Sequence, residues 1–247
     1  MSYYINNTMS IGSDPFALMN KLILAALAAF TFCLGAKADG TPDKVQLWKG
    51  GPYWATKNIG AGEPWDSGYY FWWGDTVGYT NTGSAWISVK DGTAISFGSS
   101  GMAASTHGKN NSALLSAGYI DSTGNLVAEH DAATAHLGPP WRMPTDAEFS
   151  ALINNCTSTW IATNGVYGRL VAGVGAYANR SIFLPAAGIG NDSILDYAGS
   201  VGHCWTSTPN SDNSDRAWHL YFHSGRFYRN FSYRDFGQSV RPVRDAD

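Results

Sequence analysis

Imidazole, phenol and guanidinium groups crowd one stretch near the C-terminus. In Trp218-His219-Leu220-Tyr221-Phe222-His223, the apolar Trp218, Leu220 and Phe222 alternate with His219, Tyr221 and His223. Past Ser224-Gly225 come Arg226, Tyr228, Arg229, Phe231, Tyr233, Arg234, Asp235 and Phe236. These side chains combine contact area with hydrogen bonding at low rotamer cost, which is the chemistry of recognition more than of bond making. A strand has a side-chain period of two, so one set faces a core and the other faces away. Two readings stay open for the second set: a ligand-contacting face, or a second buried face of a β sandwich.

Other chemistry-bearing groups are less convergent. His130 and His136 flank a short helical pattern, but zinc spacing on one helix face is i, i+4, so they read as helix-end groups. Asp212-Asn213-Ser214-Asp215 is oxygen-rich. Calcium needs about six to eight oxygen ligands, so the run reads first as a polar turn, with a structural calcium ion as the alternative. No other cofactor and no metal ligand set is expected, and no Ser-His-Asp arrangement is specified. Cys156 and Cys204 either pair or stand as buried thiols.

Only 14% of the 247 residues are charged and the net charge is −3. The last lysine is Lys109, so no polybasic surface exists and a nucleic-acid partner is not expected. At the other end, Met19-Asn20-Lys21 leads into an apolar run over residues 22–35 and then Ala36-Lys37-Ala38. That is the pattern of a signal peptide, with translation starting at Met19 and cleavage after Ala38. A lipid anchor on Cys33 is disfavoured by the bulky Phe32. The reading is therefore a leader over residues 1–38, a mature domain over 39–247 with no membrane span, and export to the periplasm, cell surface or medium.

The elements that must hold the C-terminal groups are short. Thr145-Asp146-Ala147-Glu148 is a capping box, and Phe149, Leu152 and Ile153 supply a helical stripe behind it. A second, Ala-rich helix spans residues 131–137 and stops at Gly138-Pro139-Pro140. Aromatic runs at 45–48, 53–56 and 69–74 suit short strands or tight loops, and residues 76–118 read as an extended loop insertion. Later strands are expected at 168–171, 181–185, 218–222, 227–231 and 239–243. Trp141, Phe149, Leu152, Phe183, Leu184, Trp218, Leu220 and Phe222 should share one core.

Several motifs resemble the major paralogous domain family of gut bacteria first named for Fibrobacter. They include Trp54-Ala55-Thr56-Lys57-Asn58-Ile59-Gly60-Ala61, Phe71-Trp72-Trp73-Gly74-Asp75-Thr76, and Trp141-Arg142-Met143-Pro144-Thr145 with Glu148-Phe149. Phe183-Leu184-Pro185-Ala186-Ala187-Gly188 and Ser239-Val240-Arg241-Pro242-Val243 complete the set. The resemblance implies a single α+β, C-type-lectin-like domain of the formylglycine-generating-enzyme-like subtype, loop-rich, with two helices and short antiparallel strands. The enzyme of that fold needs two reactive cysteines late in the chain. Cys204 stands alone in the tail, so no enzymatic activity is expected.

The tail also resembles the variable region of a protein diversified by a retroelement, in which Asn codons of a template are copied with errors. Between residues 203 and 236 there is no Lys, Glu, Gln or Met, and Asn210, Asn213 and Asn230 fit unaltered template codons. The resemblance makes His203, Cys204, Arg216, His219, Tyr221, His223, Arg226, Tyr228, Phe231, Tyr233, Asp235 and Phe236 the ligand-contacting set. It implies a protein or glycan ligand at a cell or phage surface. The alternative is an invariant adhesin or glycan-binding module whose aromatics stack on sugar rings.

Overall fold

Fourteen short strands and three short helices are joined by tight turns in the computed structural model, which describes residues 42–98 and 105–246. The expected leader and its cleavage site lie outside the described residues. β1 (Lys44–Gln46), β2 (Tyr53–Ala55) and β14 (Val243–Arg244) form one antiparallel sheet in the order β1-β2-β14. β3 (Tyr79–Asn81), β4 (Trp86–Ser88) and β5 (Ala94–Ile95) form a second. Helix α1 (Asn111–Ser116) follows, and α2 (Ala132–Leu137) is capped by the Asp131 side chain, which accepts from the Thr134 amide. α3 (Asp146–Asn155) opens with the capping box complete, Thr145 and Glu148 each satisfying the other's amide.

The remaining sheets come from the second half of the chain. β6 (Thr157–Thr163), β7 (Val166–Ala172) and β8 (Ser181–Pro185) are consecutive antiparallel strands. The β6–β7 turn places Asn164 and Gly165 at φ of 49° and 80°, the left-handed pair a tight hairpin turn requires. β9 (Ile189–Asn191) and β10 (Ile194–Asp196) form a small hairpin. β11 (Val201–Pro209), β12 (Arg216–His223) and β13 (Arg226–Tyr233) form the longest-stranded sheet, in that order.

This architecture overturns the α+β, C-type-lectin-like expectation. Among the described residues, strand and bridge make up 39% against 14% helix, in five small antiparallel sheets. The physical reason is that the Gly- and aromatic-rich segments close into hairpins too short to leave room for more helix. The expected loop insertion over 76–118 instead contains β3, β4, β5 and α1. Of the two forms expected over 69–74, short strand or tight loop, the segment takes the second, contributing only bridges from Tyr70 to Tyr79 and from Phe71 to Gln238.

Packing centres on the β11–β12–β13 sheet. On one face, Cys204, Leu220 and Phe222 join Leu47, Trp54, Phe149, Leu152, Val171, Ile182, Leu184 and Val243 in a core that draws on three sheets and α3. On the other, Trp205 and Ala217 join Phe71, Trp73, Leu114, Leu126 and Met143. A third cluster gathers Tyr70, Tyr79, Trp86 and Phe97. Seven of the eight expected core residues are buried, and five of them, Phe149, Leu152, Leu184, Leu220 and Phe222, share the first cluster; Trp218 is only half-buried. Cys156 and Cys204 are free thiols. No helix among the described residues is long and apolar enough to cross a membrane.

One buried cation ties the distant parts together. The Arg241 guanidinium, wholly buried, donates from Nε to Asn58 Oδ1 (2.8 Å), from Nη1 to the Ala55 carbonyl (3.0 Å) and from Nη2 to the Phe183 carbonyl (2.8 Å). Burial lowers its pKa to about 10, which leaves it charged at neutral pH. Replacing it by Met strips three buried acceptors of their donor. Arg241→Met is expected to cost about 3 kcal/mol or more in urea unfolding. Arg226→Met, at an exposed position, should stay within about 0.5 kcal/mol. Equal midpoints for the two variants would remove the clamp's importance.

Candidate functional site

The twelve tail residues do not share a face. In the β12–β13 register Leu220 sits opposite Arg229 and Tyr221 opposite Tyr228, so successive pairs alternate between the two sides. Cys204, Arg216, Phe231 and Tyr233 belong to the Leu220 side. His203, His219, Tyr221, His223, Arg226 and Tyr228 belong to the opposite side, and Asp235 and Phe236 follow the end of β13. Four of the twelve, His203, Cys204, His219 and Asp235, are buried. They cannot touch a ligand at the surface.

Exposure falls at opposite ends of the two faces. On the Leu220 side, α3 and the first core cover the middle, where Arg229 pairs with Asp146. The end left open carries Trp218, Phe231, Tyr233 and Arg216. Trp218 meets Phe231 edge-on at 5.6 Å, and the Arg216 guanidinium stacks over Phe231 at 5.2 Å and Tyr233 at 4.4 Å. Its Nη2 donates to the Tyr233 hydroxyl at 3.1 Å, and Phe236 closes the cluster at 5.7 Å from Tyr233. Phe231 and Tyr233 are 39% and 42% exposed. This cluster brings together four of the predicted residues.

On the other side the second core covers the β11 end of the sheet, and the hairpin end is open. Tyr221 and Tyr228 lie 5.1 Å apart with His223 at 5.8 Å from Tyr221. Arg226 sits 6.0 Å from the Tyr228 ring. Burial, with Tyr228 and Tyr197 nearby, pushes the Tyr221 phenol above its ordinary pKa. Tyr197, 65% exposed and at a φ of 59°, precedes the tail, and no sequence pattern marked it. Trp218 and Arg229 were also missed, the first taken for framework because it alternates with His219.

The hairpin that carries the second cluster is held from below. Arg169, in β7, donates from Nη2 to the carbonyls of His223 (2.6 Å), Ser224 (3.0 Å) and Arg226 (3.2 Å). A parallel clamp holds the other end: Arg234, buried against the Trp73 ring at 4.8 Å, donates to the carbonyls of Thr106, Lys109 and Arg216. Both clusters thus sit on fixed backbone, the condition for a preorganised contact surface. Among the described residues no group of three His, Cys, Asp or Glu side chains is placed to hold a metal ion.

Residues 75–244 match the family model of the Lcl C-terminal domain, more than two-thirds of the chain. The chain belongs to the Lcl C-terminal domain family. No curated protein and no solved structure matches it. The matched segment of this Lcl C-terminal domain contains β11, β12 and β13 and every residue of both clusters. It leaves out β1, β2 and Asn58, which the Arg241 clamp nevertheless requires.

Beneath Tyr221 lies a buried pair of imidazoles. The His203 and His219 rings are 5.1 Å apart, and His203 is 5.1 Å from Tyr221. Burial lowers the His203 pKa to about 4 and holds His219 well below its ordinary value, with His203 adding to the effect. The folded state therefore keeps both rings neutral, whereas the unfolded chain protonates them from about pH 6.5 downward. Their contribution is present above that value and is lost as pH falls through about 4. Asp75, raised to about 6 by burial, acts in the opposite sense. The measurement is thus the change in unfolding free energy between pH 7 and 5, compared with His203→Phe, which retains Asp75. The native chain should lose about 2 kcal/mol more than the variant. Equal losses would mean that His203 is already hydrated and protonatable in the fold.

Proposed function

We propose that this chain is an exported, non-enzymatic binding protein whose ligand-contacting surface is the exposed aromatic and arginine clusters of the β11–β12–β13 sheet. The observation that carries the reading is the Arg216–Phe231–Tyr233 stack, with both rings exposed yet held in place by strand pairing, hydrogen bonding and contact with the guanidinium. Aromatic and Arg side chains on rigid backbone are the residue types that dominate interface energetics. Membership of the Lcl C-terminal domain family is compatible with a non-enzymatic surface or variable protein. The ligand class is a protein or glycan at a cell or phage surface, with no nucleic acid involved. Export rests on the leader-like pattern over residues 19–38.

The finer part of the proposal concerns diversification. Kinship with the Fibrobacter-type paralogous family and retroelement copying of the tail both remain part of this reading, with one restriction. Exchange is confined to Arg216, Tyr221, His223, Arg226, Tyr228, Phe231, Tyr233 and Phe236, which are exposed or half-buried. At His203, Cys204, His219 and Asp235, random replacement would strain a packed interior at a cost of about 1–3 kcal/mol or more per site. The burial of those four favours the second reading, an invariant adhesin or glycan-binding module with the same contact clusters.

Two measurements decide. A near-copy of the coding segment for residues 202–243, with adenines at the eight accessible codons and beside a reverse transcriptase gene, is expected if the tail is diversified; its absence from the genome selects the invariant module. Independently, Phe231→Ala with Tyr233→Ala should leave the melting temperature nearly unchanged and abolish capture on a glycan array or on whole bacterial cells. Leu220→Ala should instead cost about 3–5 kcal/mol. Unchanged capture by the double variant would remove the Phe231–Tyr233 cluster from the contact surface.

A further inference from the structure

β13 is an edge strand. In the β11–β12–β13 sheet only β12 pairs with it, and its eight residues contain no Pro or Lys of the kind that usually guards an exposed edge. The two-residue turn at Ser224-Gly225 makes His223 and Arg226 the closing pair, so Arg226, Tyr228, Asn230 and Ser232 aim their main-chain groups at β12. Phe227, Arg229 and Phe231 aim theirs away from the sheet. Among the described residues, nothing accepts from the amides of Phe227 or Arg229, and nothing donates to the carbonyls of Phe227, Arg229 or Phe231. The Phe231 amide is satisfied by the Asn230 side chain.

We propose that the outer edge of β13 is a strand-addition site that takes an extended acidic segment of a partner protein. The inference deepens the binding reading by naming the mode of docking and the class of partner. Strand addition supplies affinity through main-chain hydrogen bonds and specificity through alternate side chains. Charge selects the occupant. Arg226 and Arg216 flank the edge at its two ends, and neither meets a carboxylate at ion-pair distance among the described residues. Arg216 is in register with Tyr233, so the two cations are separated by the length of β13, about 23 Å, and lie on opposite faces. A strand of eight residues with carboxylates at its first and last positions matches both. A second copy of this chain fits poorly, because its β13 offers no carboxylate to meet Arg226 or Arg216. Main-chain docking also tolerates change in the side chains beside it, so it can coexist with exchange at Tyr228, Phe231 and Tyr233.

The test uses the peptide acetyl-Glu-Val-Thr-Val-Thr-Val-Thr-Glu-amide and its counterpart with Lys in place of Glu. Amide hydrogen exchange of the full chain is followed by NMR. The acidic peptide is expected to slow exchange at Phe227 and Arg229 by about tenfold or more, with the lysine peptide without effect. The response should vanish in Arg216→Gln with Arg226→Gln, while the core amide of Leu220 reports that this variant stays folded. No slowing by the acidic peptide, or equal slowing by both peptides, overturns the proposal. Amides already protected without peptide, together with a dimer in sedimentation, would assign the edge to a second copy instead. Because the readout is the two edge amides, it can fail while Phe231 and Tyr233 still govern ligand capture, and the reverse.

Discussion

A positive charge with no carboxylate near it sits at the centre of this fold. Arg241 is removed from water and held by one side-chain oxygen and two main-chain carbonyls. Such an arrangement is tolerable only if every donor direction is met, since an unmet buried ionic donor costs far more than the bond it lacks. The requirement fixes three segments at once: β2, the loop holding Asn58, and the middle of β8. The neighbouring main chain follows, with the Ala55 amide donating to the Pro242 carbonyl and the Ile59 amide to the Val240 carbonyl. Trp54, Val243 and Leu184 are brought into one core by the same geometry.

From that anchor the central sheet inherits its two-sided burial, and the contact surface inherits its odd shape. A sheet with one dry face and one wet face would have offered all its outward side chains together. Here each face is covered over part of its length and released at the other end, which yields two clusters pointing in different directions. The arginines 169 and 234 do for the strand ends what Arg241 does for the core, using main-chain carbonyls as acceptors in place of acids. Although acidic residues outnumber basic ones, these three guanidinium groups are held by carbonyl acceptors rather than by carboxylates.

Local chemistry was legible in the sequence wherever it acts over a few residues. The capping box at Thr145, the Asp131-led short helix and the alternation through Trp218–Phe222 all appear where their patterns put them. What escaped was set by distance. Alternation shows that two faces exist and says nothing about what packs on each, so His203, His219 and Asp235 looked like surface groups. Trp218 passed for core because its neighbours Leu220 and Phe222 are core, yet α3 ends too soon to cover it. The α+β expectation failed for a related reason: two readable helix patterns among short strand patterns suggested a mixed fold, the motif resemblance gave it a C-type-lectin-like form, and neither fixes the proportion of strand. The Asn164-Gly165 dipeptide was a local signal for the β6–β7 hairpin, and it was overlooked.

The placement of Arg241 also sets the order of events during synthesis. Its partner Asn58 lies 183 residues upstream, so Asn58 Oδ1 and the Ala55 carbonyl gain their buried donor only once Arg241 has been made. Closure of so long a loop costs entropy before any contact repays it, which slows folding in proportion to the remoteness of the contacts. β2 finds β1 close by in sequence, whereas its other edge is covered only by Val243 and Arg244 of β14. Until that pairing closes, one edge of β2 has no strand beside it, and unpaired edges of this kind are where partly folded chains associate.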